Sequence, residues 1–455
     1  MTTPPPVTDT LARFVAETDF ATISAATLNN AKLHILDTFG VALAGVSTDV
    51  AKIALEYCRA LGASQQASIW GTKATASVST AAFANGLLSH ALDYDDWDAF
   101  IHVGHPTSMV VGAALPLAEN INASGKDFLK AYVLAIEVIC KLAANTPNVQ
   151  DRGFHSTPVF GSLGAAVACA SLLRLDVNKI KAVFGIAASG CGGIHRQQGS
   201  MVKPFHAGNS ARNGAEAALL ASQGFTADAA IFEAPRGFCD TFFGTGTCKY
   251  DKMIENIATP YFLESPGLGL KWHPCSAPQF LAADAALHLK HEHKVNFADV
   301  AKMEVRIPPQ RYQRHYAAEV KTGLRGKFAI NYVVAMCFLD GKLEIATFTD
   351  ERVNQSQAQE ALSRVHVIAD ETIPEPGPYC PVSVELKDGT RYSYTAKVAK
   401  GDPRNPMTEE EVVQKFRSNA KTALTPAKSE SLISLVQNLE SVDNMRTVVA
   451  QLRID

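Results

Sequence analysis

The fold is decided by a stretch that runs from His155 to Ala166 and reads HSTPVFGSLGAA. A histidine and a proline stand at its start, and apolar and small residues follow at helical spacing. Gly161 and Gly164 put small side chains on the helix surface, where they let a neighbouring helix approach closely. The stretch therefore predicts a central, buried helix within a helical bundle.

The same helical texture extends from about residue 8 to about residue 270, in alanine-rich segments separated by short Gly, Pro and Asn breaks. Beyond it, apolar residues alternate with the period of two that is typical of strands. The predicted strands cover residues 302–307, 365–368, 382–386 and 392–398, the last two forming a hairpin around Asp388-Gly389. Helical spacing returns after Thr408, which precedes three glutamates as an N-cap does.

These patterns predict a mainly α protein. We expect a helical-bundle domain that is discontinuous in sequence, made of residues 1–270 and 403–455. A smaller α+β domain of residues 271–402 is inserted into it. At 455 residues the chain is also longer than one hydrophobic core usually supports, which agrees with two domains.

Composition excludes several classes of protein. A net charge of -3 lacks the basic excess that nucleic-acid binding requires, so we expect no nucleic-acid partner. The nine cysteines are scattered and include no C-x-x-C pair, which argues against a disulfide framework and against a zinc site. The sequence shows no secretory leader and no apolar run of the roughly 18 residues that a membrane span needs, so a cytoplasmic protein without membrane contact is predicted.

Two segments place histidines at the start of a helix. His102 and His105 stand before Pro106, which is suited to the first helical position, and an apolar helix follows. His155 leads into the helix quoted above in the same way. Unpaired N–H groups and the helix dipole make such a terminus an anion site even before the side chains are counted.

A third segment carries Lys203 and His206 and is predicted to lead into a helix at Ala211, with Arg212 one residue further. It therefore repeats the design of basic groups near a helix N-terminus. Three such sites indicate a substrate with more than one carboxylate or phosphate. Carboxylate is preferred, because the sequence contains no glycine-rich phosphate loop between a strand and a helix.

Four carboxylates crowd together in the segment DYDDWD, residues 93–98, after a predicted helix. Such crowding at a helix C-terminus is electrostatically unfavourable and requires a compensating reason. One reason is a carboxylate that orients and charges His105 for acid or base catalysis. The other is a metal ion bound by Asp93, Asp95, His102 and His105, which we set aside because these histidines do not share one helical face.

Several of these segments together resemble the MmgE/PrpD family, which includes 2-methylcitrate dehydratase, cis-aconitate decarboxylase and iminodisuccinate epimerase. The resemblance rests on HALDYDD at 90–96, HPTS at 105–108, GFH at 153–155, KPFHAG at 203–208 and GDPRNPMT at 401–408. It implies a discontinuous helical domain plus a smaller α+β domain similar to a permuted chorismate mutase, usually in a homodimer. It also implies an active site in a cleft between the domains that uses no cofactor and no metal.

By the same resemblance, the catalytic positions are Asp93, His105, His155, Lys203 and Tyr332. Two departures alter the surroundings of these residues. Trp97 stands where relatives carry a threonine, and Lys271 and His273 add a basic pair at the domain junction. The residues predicted to bind substrate are Trp97, His102, His206, Arg212, Lys271 and His273.

The predicted function is that of a cofactor-independent lyase acting on a small di- or tricarboxylate, either a dehydratase or a decarboxylase. Lys203, supported by Arg212 or His206, would anchor carboxylates, while His105 and His155 would exchange protons with the substrate carbon. Tyr332 would close the site. Two alternatives remain: an epimerase of an amino- or imino-dicarboxylate such as iminodisuccinate, and a non-catalytic polycarboxylate-binding protein.

Overall fold

A computed structural model of the chain describes residues 4–454. The chain divides into two compact units, residues 4–270 together with 408–454, and residues 271–407. Helices dominate and the sheets are small, which confirms the mainly α fold class.

The first unit is a helical bundle with two very small sheets. Its helices are α1 (Val7–Glu17), α2 (Ala25–Gly45), α3 (Asp49–Ala60), α4 (Val78–His90), α5 (Pro106–Ile121), α6 (Gly125–Ala144), α7 (Ser156–Leu172), α8 (Val177–Ser189), α9 (Val202–Ser222), α10 (Phe238–Phe243) and α11 (Tyr250–Ile254). Its antiparallel strand pairs are β1 (Ala67–Ser68) with β2 (Thr75–Ala76), and β3 (Asp96–Trp97) with β4 (Gly269–Leu270).

The second unit combines helices with a four-stranded sheet. Its helices are α12 (Phe280–Glu292), α13 (Pro309–His315), α14 (Gly323–Gly326), α15 (Ile330–Asp340), α16 (Asp350–Val353) and α17 (Ser356–Ser363). Its strands are β5 (Val300–Ile307), β6 (Val365–Ala369), β7 (Cys380–Leu386) and β8 (Arg391–Ala396), in the order β6-β5-β7-β8. Only the β5–β6 pair is parallel within this sheet.

The chain then returns to the first unit with α18 (Glu409–Ala420), α19 (Pro426–Gln437) and α20 (Arg446–Leu452). The predicted hairpin is confirmed as β7 and β8, with Glu385 opposite Arg391 across the turn. Thr408 caps α18 as predicted: its hydroxyl accepts from the Glu411 main-chain N–H, and the Glu411 carboxylate accepts from that of Thr408.

In the residues that the structure describes, no single helix is both long and apolar enough to cross a membrane. The bent pair of α2 and α3, which meet at 87°, passes that test together on length and composition alone.

The helix predicted from residues 155–166 is α7, and it is buried along nearly its whole length against α5, α6 and α9. Small residues allow this packing. A Cβ placed on Gly112 of α5 would lie 2.7 Å from the Gly86 Cα of α4, closer than real side chains come. The end of α4 is therefore pressed against the start of α5, and these are the two helix ends that carry His90 and His105.

Two of the three predicted helix starts are confirmed. His105 is the N-cap of α5, with Pro106 in the first turn, and His155 is the N-cap of α7. The third prediction was wrong in position, because α9 begins at Val202 and not at Ala211. A proline is tolerated in the first turn of a helix, where its missing N–H would have no partner, so Pro204 did not delay the start of α9. Lys203 therefore lies inside the first turn.

Candidate active site

Asp93 and Lys203 form a buried ion pair at the centre of the site. The chain turns sharply after α4, with Asp93 at a φ of 51° and its N–H bonded to the His90 carbonyl. Lys203 Nζ lies 2.7 Å from Asp93 Oδ1, and the two side chains are each 7% exposed. His105 Nε2 lies 3.7 Å from the same oxygen. One carboxylate oxygen thus faces both the ammonium of α9 and the imidazole at the start of α5.

Asp95 supports a second imidazole that contacts the first. His90 Nδ1 lies 2.8 Å from Asp95 Oδ2, which also accepts a hydrogen bond from the Ser108 hydroxyl at 2.5 Å. The His90 ring stands 4.7 Å from the His105 ring, centroid to centroid. His90 Nε2 is buried and makes no hydrogen bond in the described part of the chain. A carboxylate acceptor at Nδ1 fixes the Nδ1–H form of the neutral ring, which leaves a lone pair on Nε2.

Asp96 orients His105 through its main chain. Its carbonyl accepts a hydrogen bond from His105 Nδ1 at 2.6 Å, so Nε2 is the ring nitrogen that faces the Asp93 carboxylate. The Asp96 carboxylate accepts hydrogen bonds from the Thr107 hydroxyl and N–H. Burial and the neighbouring Asp95 raise the pKa of Asp96 well above its usual range. A main-chain carbonyl thus orients His105 in addition to the carboxylates of Asp93 and Asp95, which lie 3.7 and 3.8 Å from its ring nitrogens.

The fourth carboxylate of the cluster, Asp98, stabilises the loop that follows it. Its oxygens accept hydrogen bonds from the main-chain N–H groups of Phe100, Ile101 and Val103. Each carboxylate of the acidic segment thus has its own partners. Asp93 pairs with an ammonium, Asp95 with an imidazole and a hydroxyl, Asp96 with a threonine, and Asp98 with three main-chain amides.

His155 and His206 form a pair of their own. Their Nδ1 atoms are 3.1 Å apart, and the side chains are buried. Burial lowers the pKa of His206 to about 4, and the charges of His90 and Lys203 act in the same direction. Burial, followed by the charge of Lys203, lowers the pKa of His155 well below its usual value. Both rings are therefore neutral near pH 7.

The site thus contains two kinds of imidazole. His90 and His105 have carboxylate oxygens within 4 Å of their ring nitrogens. His155 and His206 have each other and the Lys203 ammonium, which favour the neutral ring. Titratable groups in contrasting electrostatic surroundings are a common sign of an acid and base division of labour. The N-termini of α5, α7 and α9 add partial positive charge to the same region.

Four residues are close enough to share a cation. One ligand atom from each of His90, Asp93, Asp95 and His105 lies within 4.8 Å of the others. His90 thus takes the place that the sequence-based alternative assigned to His102, which is exposed in the loop before α5. The Lys203 ammonium already pairs with Asp93, however, and it would repel a metal ion bound to that carboxylate. The donor set is suitable in kind but is already charge-compensated.

Three further residues of the first unit, Trp97, His102 and Arg212, were predicted to bind substrate. Trp97 pairs its main chain with Gly269 in the short sheet of β3 and β4. His102 has a φ of 61° in the exposed loop. The Arg212 guanidinium donates to Asn209 and lies over the Phe83 ring, 5.4 Å from its centroid. Their contact with a substrate stays a prediction.

The remaining predicted residues belong to the second unit. Lys271 is fully buried. His273 Nε2 lies 2.7 Å from Asp284 Oδ1 of α12. The Tyr332 hydroxyl, on α15, donates to the Thr347 carbonyl at 2.7 Å, and burial raises the pKa of this phenol, which keeps the donor protonated. Their catalytic roles also stay predictions.

Sequence reasoning missed the support behind the acidic segment. Lys415 of α18 pairs with Asp37 of α2 at 2.8 Å and donates to the Tyr94 carbonyl at 2.9 Å. It thereby fixes the main chain next to Asp93. A signal existed, because Lys415 stands on the same helical face as the buried Val412 and Phe416. A lysine on an apolar face requires a buried partner.

His34 lies against this network and predicts an acid-sensitive fold. Its Nδ1 is 3.9 Å from Asp96 Oδ2, and burial, followed by the charge of Lys415, lowers the pKa of His34 to about 4. An unfolded chain binds a proton at this residue below about pH 6.5, whereas the folded chain does so only below about pH 4. Neutral His34 therefore contributes its full stabilisation above about pH 6.5. This stabilisation is lost as the pH falls from about 6.5 to about 4.

We expect acidification from about pH 6.5 to about pH 5 to lower the free energy of unfolding by about 2 kcal/mol through His34. Urea unfolding at the two pH values measures this loss. In His34→Gln the pH dependence should shrink by that amount, whereas His366→Gln, at an exposed position of β6, should leave it unchanged. Equal pH dependence in wild type and His34→Gln would contradict the assignment.

Comparison with known proteins identifies the family. The model of the MmgE/PrpD N-terminal domain matches residues 9–251, and that of the MmgE/PrpD C-terminal domain matches residues 273–441. The chain belongs to the MmgE/PrpD family. The resemblance seen in the sequence motifs is thereby confirmed over most of the chain.

Three relatives show how far this MmgE/PrpD protein resembles characterised members. The cis-aconitate decarboxylase of Homo sapiens is 31% identical over 94% of this chain and 90% of its own length. That of Mus musculus is 29% identical over 94% and 89%. A cis-aconitate decarboxylase of Aspergillus terreus is 24% identical over 80% and 79%.

Proposed function

We propose that this MmgE/PrpD protein is a cofactor-independent decarboxylase of a small tricarboxylate of the cis-aconitate type. One observation carries the proposal: His105 Nε2 lies 3.7 Å from the oxygen of the Asp93–Lys203 ion pair, which places a proton-transferring imidazole beside a buried cation. The similarity to cis-aconitate decarboxylases favours carbon dioxide loss over dehydration.

The proposed reaction needs one developing anion to be stabilised and one proton to be delivered. In cis-aconitate the bond from the methylene carbon to its carboxylate breaks, and its electron pair forms a new double bond to the central carbon. The electrons of the original double bond move to its other carbon, which carries a carboxylate, and carbon dioxide leaves. A proton then joins that carbon and yields an unsaturated dicarboxylate.

The structure suits these two needs with different residues. Lys203 and the helix N-termini stabilise negative charge that grows on the substrate carboxylate, since fixed cations and dipoles need no reorganisation during the reaction. His105, with carboxylates near both ring nitrogens, is the proton donor to carbon. His155, which is neutral in the free protein, binds and positions the substrate.

A mass-resolved assay in deuterium oxide tests the proposal. We expect cis-aconitate to lose carbon dioxide and the product to carry one solvent deuterium on carbon. The panel also contains trans-aconitate, citrate, 2-methylcitrate and iminodisuccinate. Water loss from 2-methylcitrate alone would replace the decarboxylase with a dehydratase, and deuterium exchange with inversion of iminodisuccinate would replace it with an epimerase. Binding without any turnover would leave a polycarboxylate-binding protein.

The panel is needed because this chain carries Trp97 where the family resemblance implies a threonine. An indole is larger than a threonine side chain and lacks its hydroxyl, so selectivity among these acids is expected to differ from that of the relatives. A homodimer and a cytoplasmic location stay predictions of the sequence.

Metal removal provides an independent prediction. We expect full activity after exhaustive dialysis against a chelator, because the Lys203 ammonium already compensates Asp93 and His105 Nδ1 is bonded to a carbonyl. Turnover before and after dialysis, with metal content measured in both samples, checks this. Activity lost on dialysis and restored by one divalent metal would assign the metal to the group of His90, Asp93, Asp95 and His105.

A further inference from the structure

The pair formed by His155 and His206 has a feature that the proposed reaction does not use. The two Nδ1 atoms lie 3.1 Å apart, and the ring centroids are 5.4 Å apart. A neutral imidazole has one N–H donor and one acceptor nitrogen, so one Nδ1 donates and the other accepts. Adding one proton to the pair keeps this hydrogen bond and makes it charge-assisted, which strengthens it.

The fold holds this pair tightly. The His155 main-chain N–H donates to the Gly193 carbonyl at 2.8 Å, which ties the start of α7 to the loop before α9. Gly193 has a φ of 147°, and a Cβ placed on it would lie 2.5 Å from Pro158 Cγ and 3.3 Å from atoms of the His206 ring. The loop therefore packs directly on the His206 ring.

The neighbouring groups whose charge lowers the pKa values of the pair are all basic. They are Lys203, His90, His206 and His105 for His155, and His90 and Lys203 for His206. Among residues 4–454, no carboxylate lies within 4.0 Å of a ring nitrogen of either histidine. Lys203, the permanent cation among these neighbours, is already paired with Asp93. A substrate with two or three carboxylates would therefore carry more negative charge than this region can balance with its positive charge.

We propose that the His155–His206 pair takes up a proton when a polycarboxylate binds, and that His206 is the positioning residue that shares this proton with His155. The inference rests on the proposed function for the chemical class of the ligand, but not for the reaction. Burying carboxylates without a matching cation is costly, whereas a shared proton supplies that cation next to the substrate. The pair then acts as a neutral dipole in the free protein and as a cation in the complex.

Isothermal titration calorimetry with tricarballylate tests the inference. This saturated tricarboxylate has no double bond to accept electrons and so binds without losing carbon dioxide, a step that itself consumes a proton. Titrations near pH 7 in phosphate and in Tris, whose ionisation enthalpies differ widely, report proton uptake from the difference in observed heat. We expect uptake of about one proton per tricarballylate bound.

Variants locate the proton. His206→Gln should reduce the uptake to near zero and weaken tricarballylate binding, while its circular dichroism spectrum and Tm show whether it folds. His366→Gln, on the exposed face of β6, should behave as wild type. If His206→Gln does not fold, the two wild-type titrations still decide whether a proton is taken up, and His206→Asn is the second variant that locates it.

Equal heats in the two buffers would overturn the proposal, as would the absence of tricarballylate binding at millimolar concentration. Uptake that persists in folded His206→Gln would overturn the role of His206. The turnover assay on the same preparation separates this inference from the proposed function. Proton uptake without decarboxylation would leave the inference standing and remove the decarboxylase, and decarboxylation without proton uptake would do the reverse.

Discussion

Lys203→Met should lower kcat/KM about 100- to 1000-fold, the loss seen when one fixed group that stabilises a developing anion is removed. Methionine keeps a long, unbranched stem, so the change chiefly removes the charge. The same substitution leaves the Asp93 carboxylate buried without its ammonium, and breaking a buried pair in this way costs about 3–5 kcal/mol. Steady-state kinetics and urea unfolding measure the two effects separately.

Two control variants separate the effect of Lys203→Met on activity from its effect on stability. Lys52 pairs with Asp49 at 2.8 Å, but both side chains are more than half exposed, so Lys52→Met should change stability by less than about 1 kcal/mol. The double variant Asp93→Asn/Lys203→Met removes the orphaned carboxylate and should regain part of the stability but none of the activity. A folded Lys203→Met enzyme with unchanged kcat/KM would refute the role of the ammonium.

His105→Gln should lower kcat about 100- to 10,000-fold with a much smaller change in KM, because general acid catalysis acts in the transition state. Glutamine can still donate a hydrogen bond to the Asp96 carbonyl, so the start of α5 should keep its structure. It cannot deliver a proton to carbon. Turnover and single-turnover deuterium incorporation measure the loss.

The matched control for His105 is His366→Gln, because His366 lies on an exposed face of β6 in the second unit. Its kinetics should equal those of wild type. If His105→Gln kept full kcat while His155→Gln lost it, the proton donor would have to be reassigned to the pair of His155 and His206.

Local features of the fold were predictable because their causes are local. Pro106 at the first position of α5, the histidine before each of α5 and α7, and the capping box at Thr408 depend on a few neighbouring residues. The β7–β8 hairpin followed from its turn residues. The start of α9 was misplaced because Pro204 is compatible both with a break before a helix and with its first turn.

The roles of the ionisable side chains could not be predicted in the same way. His90 was visible in its motif, but nothing local indicates that Asp95 holds its Nδ1 or that its ring lies 4.7 Å from His105. His206 was predicted to bind substrate, and nothing local indicates that its Nδ1 is bonded to His155. Each pairing depends on how closely two helices approach.

The sequence by itself determined the helical class of the chain, its family, and the presence of basic groups at the N-termini of α5 and α7, because periodicity, caps and motifs act over a few residues. Only the tertiary structure decided which of these groups pair with an oppositely charged side chain. Lys203 and Asp93 are 110 positions apart and meet because glycines such as Gly86 and Gly208 let α4 and α9 pack at backbone contact. Burial and nearby charge then keep the His155 and His206 imidazoles neutral in the free protein, and both quantities exist only in the folded chain.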